Sequence, residues 1–451
     1  MNPALSCRDR AWPAPGVLLG EMPLWVALLA AAFVPGRWAP QWELAGAPWR
    51  AVEVLIVFAG LLSLAALVLC PVRPAGSGRR FRAWWLLVAW AAATLAWSPR
   101  EGPEAAGMVA AVVTSVGASV AAWAVWRGPG AHAPAELLTR LTVFVGLVGA
   151  IYGAESLWAL GLREAAHRIA ETAFPIERVR GPLFSASTGY LALLPALGWS
   201  LDWALGHRAA APESLSEMPG NGRGRRSVAV ALAALLVATL AGLGSRAALA
   251  VLLGFLGLLI WWMPGPRRLC MLAVAALAGV LAVAAAVSRI SPERFQVWTD
   301  PGRLETHQAA WRILEAASPG EALRGAGLGA VWCWYLADAV SGEQIAAGNN
   351  RILTAGGESL YHPHSLLLLA AVELGLPGLL LLAWLLGELL MAAWALRQAG
   401  APALGAALAA STGSFFFDLF LFKNIPVSLV WWCYAFGALY LGRAGRRAWS
   451  C

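Results

Sequence analysis

Lysine is all but missing from this sequence: Lys423 is the only one, and Asp, Glu, Lys and Arg together make up 13% of its 451 residues. Soluble domains carry about a quarter of their residues as charges, so a chain this poor in charge and 59% hydrophobic does not belong among them. Cysteine is sparse and unpaired in pattern. Its six copies, Cys7, Cys70, Cys270, Cys333, Cys433 and Cys451, form no CxxC and no zinc-like spacing, and only Cys333 is extracytoplasmic on the topology below, so no structural disulfide is expected. Basic patches interleaved with aromatics on a polar face are absent, which removes nucleic acid as a partner. No inverted repeat relates two halves of the chain, as one often does in secondary transporters.

What is present is apolar length. Runs of about twenty apolar residues, enough to cross a hydrocarbon core of roughly 30 Å, fall at 17–35, 51–71, 82–98, 107–126, 137–161, 182–206, 227–244, 246–263, 268–288, 364–396, 401–421 and 426–442. About twelve spans and no separate soluble block make residues 1–451 a single polytopic, all-α membrane domain. Arg8 and Arg10 precede the first run, but no small-residue cleavage site follows it, so it reads as a retained span.

Arginine sets the orientation. With the N-terminus in the cytoplasm, eighteen of the thirty-three basic residues lie on the cytoplasmic side, and short outer loops are nearly empty of positive charge, as membrane topology demands. Both termini are then cytoplasmic. The cluster Arg223, Arg225 and Arg226, ending a loop at 207–227, reads as a topology signal. Two outer segments break the pattern: Arg163, Arg168, Arg178 and Arg180 in one, and six arginines from Arg289 to Arg351 in the other, with Arg246 at a tight outer turn.

The longest polar stretch, 289–363, is therefore an external, mostly helical segment inserted between two spans. Within it Arg303, His307, Trp311 and Leu314 share one helical face, which predicts a surface-lying helix with Trp311 among lipid headgroups. Gly325-Ala-Gly327-Leu-Gly329 follows; with no strand before it, the glycines suit a close turn better than a phosphate cradle. Glu373 stands about two and a half turns below His364, too far to touch it, and is expected to brace packing or an arginine. Asp418 and Lys423 are expected to pair, whereas Glu155 and Asp202 show no partner.

Four pieces line up in order: Arg178-Val-Arg180-Gly-Pro-Leu-Phe-Ser-Ala-Ser187; Gly244-Ser-Arg246; Gly302-Arg303 with its helix and glycine turn; and His364-Ser365 followed by Glu373-Leu-Gly375-Leu-Pro-Gly378. In this order they resemble the O-antigen ligase and polymerase superfamily over roughly 175–380. That family has Asn where this chain has Ser365, and another Asn where it has Ser187 or Thr188. The resemblance implies a C-type glycosyltransferase fold with a periplasmic active site in the bacterial inner membrane. It implies an undecaprenyl-diphosphate-linked glycan as donor and a glycolipid or glycan as acceptor. Arg246 and Arg303, with Arg178 or Arg180, would hold the diphosphate, and His364 would serve as base, with His362, Glu373 and Ser187 in support.

The chemistry agrees with those residue types. Cleaving a glycosyl diphosphate requires neutralising the leaving group and deprotonating the incoming hydroxyl; arginine forks do the first without a metal, and an imidazole, whose cationic form neighbouring arginines disfavour, can accept the proton. The first outer loop offers only Glu43 and the second only Glu101 and Glu104, so no metal site and no cofactor are expected. Plainer readings stand beside these: Arg246 as a snorkelling interfacial residue, Arg303 as a solvated helix start, His364 as a capped helix start, and the whole chain as a lipid-linked saccharide transporter.

Overall fold

Apolar runs that must satisfy their own backbone in lipid become helices, and helices stand at most of the expected spans. The computed structural model describes residues 15–34, 41–44, 47–69, 81–99, 102–126, 134–159, 183, 188–206, 222–243, 245–263, 279, 301–330, 365–416 and 420–448. In order these are α1 (Pro15–Phe33), α2 (Ala51–Leu69), α3 (Arg82–Thr94, continued by a 3-10 turn at Leu95–Trp97), α4 (Gly102–Ala124), α5 (Pro134–Ala159) and α6 (Tyr190–Ala204). Then come α7 (Gly222–Gly242), α8 (Arg246–Trp262), α9 (Pro301–Ala316), α10 (Pro319–Arg324), α11 (Leu366–Leu369) and a π turn at Ala370–Leu374. The chain closes with α12 (Gly375–Gln398), α13 (Pro402–Thr412), a 3-10 turn at Gly413–Phe416, α14 (Phe420–Lys423) and α15 (Ile425–Ala448).

Six of these stretches are long and apolar enough to cross a membrane: Ala51–Leu69, Ala105–Ala124, Ala135–Ser156, Gly224–Gly242, Leu366–Gln398 and Ile425–Gly442. The expected span at 268–288 lies outside the described residues. α13 has 11 residues, about 16 Å at the helical rise; it survives at that length because every residue from Pro402 to Thr412 is buried among longer helices. In α6 the residues Tyr190–Ser200 are likewise buried throughout.

Side-chain contacts sort the helix ends into two sets. At one end, Arg140 of α5 reaches Glu21 of α1 at 3.3 Å, and Trp199 of α6 donates to Thr139 of α5 at 3.0 Å. At the other, Ser365 meets Phe415 at 3.5 Å, Asn424 meets Thr188 at 2.6 Å, and the Tyr152 hydroxyl bonds the Ala32 carbonyl. These are called the Arg140 end and the Ser365 end. α8 finishes at the Arg140 end, where the Arg397 guanidinium lies 5.9 Å from the Trp262 ring; α9 packs at the Ser365 end, on Val372.

Two buried acids hold helix starts, one of them Asp202, for which the sequence shows no partner. The Asp202 carboxylate, fully buried, accepts Ala403 N–H at 3.0 Å and Leu404 N–H at 2.8 Å, the first amides of α13. Glu388 accepts Ala83 N–H at the start of α3, at 3.3 Å. Amides at a helix start have no acceptor within their own helix and carry its positive dipole end, so a carboxylate there offsets much of its desolvation cost.

The core is aromatic where α3 meets α15: Trp84 and Trp432 ring centres are 4.7 Å apart, Trp431 and Trp432 4.9 Å, and Phe81 and Phe436 5.3 Å. One departure from an all-helical reading is a two-stranded hairpin, β1 (Gln41–Leu44) and β2 (Ala47–Arg50), with Trp42 opposite Trp49. That cross-strand aromatic pair stabilises strands only four residues long.

Candidate functional site

At the Ser365 end, Ser318 opens α10 with a reciprocal cap: its hydroxyl accepts Glu321 N–H at 3.3 Å, while its own N–H and hydroxyl donate to the Glu321 carboxylate at 2.9 and 2.8 Å. Those bonds, with Arg324 adding to them, hold the Glu321 carboxyl below the usual carboxylate range. α10 then delivers the chain into the glycine turn.

The turn docks on the π turn of the following span. An inserted π residue frees carbonyls that an α-helix would use internally, and three successive ones look outward: Val372 O accepts Ala326 N–H at 3.0 Å, Glu373 O accepts Gly327 N–H at 2.9 Å, and Leu374 O accepts the Trp90 indole at 2.8 Å. The Glu373 carboxylate, completely buried, takes Gly329 N–H at 2.8 Å. The end of α3 closes the other side. Thr94 Oγ1 accepts Leu328 N–H at 3.1 Å, Ser98 donates to Leu328 O at 3.0 Å, and Trp97 donates to Gly325 O at 3.2 Å.

Gly325, Gly327 and Gly329 all have positive φ, at 78°, 99° and 74°. A Cβ on Gly327 would come within 2.6 Å of Ser98 Cα, so the glycines are there for close backbone approach. Gly325 N–H bonds Glu321 O at 2.7 Å and Ala330 N–H bonds Gly327 O at 3.0 Å; every backbone N–H from Gly325 to Ala330 therefore has an acceptor, and none is left for a phosphate. The expectation of a packing turn holds. Glu373 acts as its brace, as expected of a packing role, and Gly375, at φ 65°, admits the approach of Leu323 O, which a Cβ would meet at 2.5 Å.

Around this joint stand the flanks of the other pieces. Ser365 caps α11, its hydroxyl accepting Leu368 N–H at 3.4 Å and donating to Phe415 O in the Gly413–Phe416 turn. α8 packs on the same turn, antiparallel to α13, with Trp262 beside Gly405 at the far end. Arg246 is the first residue of α8, after an N-cap by Ser245 that accepts Ala248 N–H at 3.3 Å, and it is partly buried. Thr188, next to Ser187, receives the Asn424 amide.

Of the expected site residues, Arg246 and Glu373 are described and both stand at the Ser365 end. The backbone of Arg303 belongs to the first turn of α9, and its side chain lies outside what is described, as do Arg178, Arg180, Ser187, His362 and His364. Asp418 and the Lys423 side chain, expected to pair, lie there too. The face by which α9 packs is Ala309, Ala310 and Ile313 against Val372, and Trp311 stays 59% exposed. Among the described residues no three His, Cys, Asp or Glu side chains gather as a metal site. Sequence reasoning missed Trp90, Thr94, Trp97, Ser98 and Asn424. The one available signal was Thr94 and Ser98, four apart at the end of an apolar run.

The fold so defined is that of a polytopic helical membrane protein with a braced glycine turn at one end. Compared with known proteins, the chain matches no protein-family model and no curated protein.

Proposed function

We propose that this chain is an O-antigen ligase-like glycosyltransferase, with about twelve spans and its Ser365 end on the periplasmic face. It moves a preassembled glycan from undecaprenyl diphosphate to an acceptor hydroxyl, with lipid A core as the favoured acceptor. One observation carries the reading: two separated pieces of the resemblance, Gly325–Gly329 and Glu373-Leu-Gly375-Leu-Pro-Gly378, are joined by the 2.8 Å bond from Gly329 N–H to Glu373 and by two backbone bonds beside it. That junction supports reading the two pieces as parts of one site.

The reaction is a direct displacement at the anomeric carbon, with inversion. The acceptor oxygen forms the new glycosidic bond as the bond to the diphosphate breaks; the acceptor proton passes to His364, and the leaving diphosphate keeps the bonding electrons. Arg246 and Arg303, with Arg178 or Arg180, neutralise the charge growing on that diphosphate, and no metal takes part in this scheme. With every N–H of the glycine turn engaged, the diphosphate depends on side-chain cations. A transporter would use its membrane-buried acids along a path; here Asp202 and Glu388 hold helix starts instead, which favours the transferase.

The test is to incubate the purified chain with undecaprenyl-diphosphate oligosaccharide and lipid A core, a second lipid-linked repeat, or a Ser/Thr peptide, and to follow free undecaprenyl diphosphate. The expected result is release with an acceptor and a loss of roughly 10²–10⁴-fold in H364A, the usual scale for removing a general base. Full turnover by H364A would remove the base assignment; no release with any acceptor would remove the reading.

A further inference from the structure

At the opposite, Arg140 end, the geometry points to a phosphate-binding site between α5 and α7, built on Arg225. This inference is independent of the proposed transferase. Along α7 the residues turned into the bundle are Ala229, Leu232, Leu236 and Leu240, between 0% and 9% exposed; Arg225 is one turn before Ala229 on that stripe. A guanidinium is thus set where the pattern asks for an apolar side chain.

Among the described residues nothing neutralises it: Nε and Nη2 of Arg225 are sealed from water and have no hydrogen-bond partner there. Those two nitrogens form one edge of the planar fork, the edge that takes two oxygens of a single anion. α5 and α7 run parallel, with Gly146 against Leu232 and Gly149 against Thr239, so Arg225 stands about level with Thr139. The described acids at this end are already engaged: Glu136 and Glu21 by Arg140 at 2.6 and 3.3 Å, Asp202 by the Ala403 and Leu404 amides, and Glu388 by the Ala83 amide. Arg226 adds a second cation beside it, its guanidinium lying next to Gly206 at the end of α6.

Buried charged donors with nothing to bond are costly enough to require a ligand. The ligand must be anionic, present two oxygens to one fork, and be available where helix ends meet headgroups. A phosphate ester meets all three conditions, and basic pockets between membrane helices are where lipid phosphates bind. Arg225 as a whole is only partly buried, so its side chain lies near the bundle's edge, and a headgroup seats on Nε and Nη2 once the groups covering them move aside. The same chemistry serves a phospholipid or a soluble phosphate, and the experiment separates them.

The full chain, purified in neutral detergent, is titrated with phosphatidylglycerol, with phosphatidylcholine, and with inorganic phosphate. Bound lipid is counted by native mass spectrometry and the unfolding midpoint is followed by tryptophan fluorescence. The expected result is one more tightly held phosphatidylglycerol on the wild type than on R225Q, and a lipid-dependent rise in midpoint that R225Q loses. R225K, which folds with the charge but without the fork edge, should bind roughly tenfold more weakly. A rise produced by inorganic phosphate alone assigns the same site to a soluble phosphate ester. Equal lipid counts and equal midpoints for wild type, R225Q and R225K would overturn the site. So would a double-mutant cycle in which E213Q with E217Q matches R225Q without adding to it, because the fork would then belong to those loop carboxylates.

Discussion

Glu373→Ala should unlatch the glycine turn without unfolding the bundle. The substitution removes the carboxylate that Gly329 N–H now bonds at 2.8 Å inside a buried turn, which costs about 1–3 kcal/mol. It also removes buried methylenes of a side chain that is completely enclosed, adding about 1–2 kcal/mol of transfer and cavity terms. The sum, about 2–5 kcal/mol, falls on a joint rather than on the helix core, so it should appear as local opening. Hydrogen exchange of the Gly325–Ala330 amides should speed up by roughly 30- to several-thousand-fold, while amides of α4 and α15 keep their protection. Glu373→Gln retains a carbonyl oxygen able to accept from Gly329 and should lose less than about 1 kcal/mol of protection. Gly327→Ala offers an independent arm, because its Cβ would meet Ser98 Cα at 2.6 Å on a backbone with φ 99°, and it should open the same amides. If E373A protects Gly329 as well as the wild type does, the brace is not Glu373 and the joining of the two motif pieces has lost its main bond. Under the proposed transferase, E373A and G327A should also lower turnover while E373Q retains it.

Two more outcomes follow from the same bonding. Asp202→Ala strips two amides at the start of α13 of their acceptor and should destabilise the chain by about 3–5 kcal/mol, with Asp202→Asn losing about half as much because one acceptor oxygen remains; a reversible SDS titration in mixed micelles that finds less than about 0.5 kcal/mol would refute the cap. For α10, the depressed Glu321 carboxyl contributes stability that is fully present above its unfolded value of about 4 and is lost as pH falls through its lower folded value. Amide protection at Glu321–Gly325, corrected for intrinsic exchange, should therefore be level at neutral pH and decline only below the ordinary carboxylate range, and Ser318→Ala should weaken it at neutral pH.

Helix positions were legible because lipid leaves an apolar run few alternatives, and the run at 51–71 or 426–442 states its own length. The hairpin at Gln41–Arg50 was not: strands of four residues with Pro48 in one of them lie below any periodicity signal. For the glycine turn, sequence left two readings, a phosphate cradle or a packing turn. Only the positions of Thr94 and Glu373, 234 and 44 residues away from the amides they hold, decide between them, because the question is where each N–H goes and no local pattern records that. Arg246 and Glu373 were picked out by motif and stand at one end of the bundle. Asn424 was not picked out, since a single amide between a four-residue helix and the last long helix carries no pattern.

The acids expose the limit most clearly, and they suggest a rule that a sequence can carry. Glu155 and Asp202 were both unpartnered by the usual test, a cation three or four residues away. Asp202 finds its partner in the backbone of α13, about 200 residues on, and Glu388 in the backbone of α3, about 300 residues back. Neither bond needs a complementary side chain, so neither leaves a mark at the partner position: Ala403, Leu404 and Ala83 are ordinary apolar residues. What is visible is the acid's own place. Asp202 stands in the last turn of α6, level with the start of a span that enters from the same end, and Glu388 stands about three turns from the end of α12, on the side that receives α3. An acid near the exit of an apolar helix, with no cation at helical spacing, is thus best read as the N-cap of a neighbouring span before it is read as a proton carrier. A carboxylate that the membrane would otherwise expel is tolerated there, because amides at a helix start have no acceptor within their own helix.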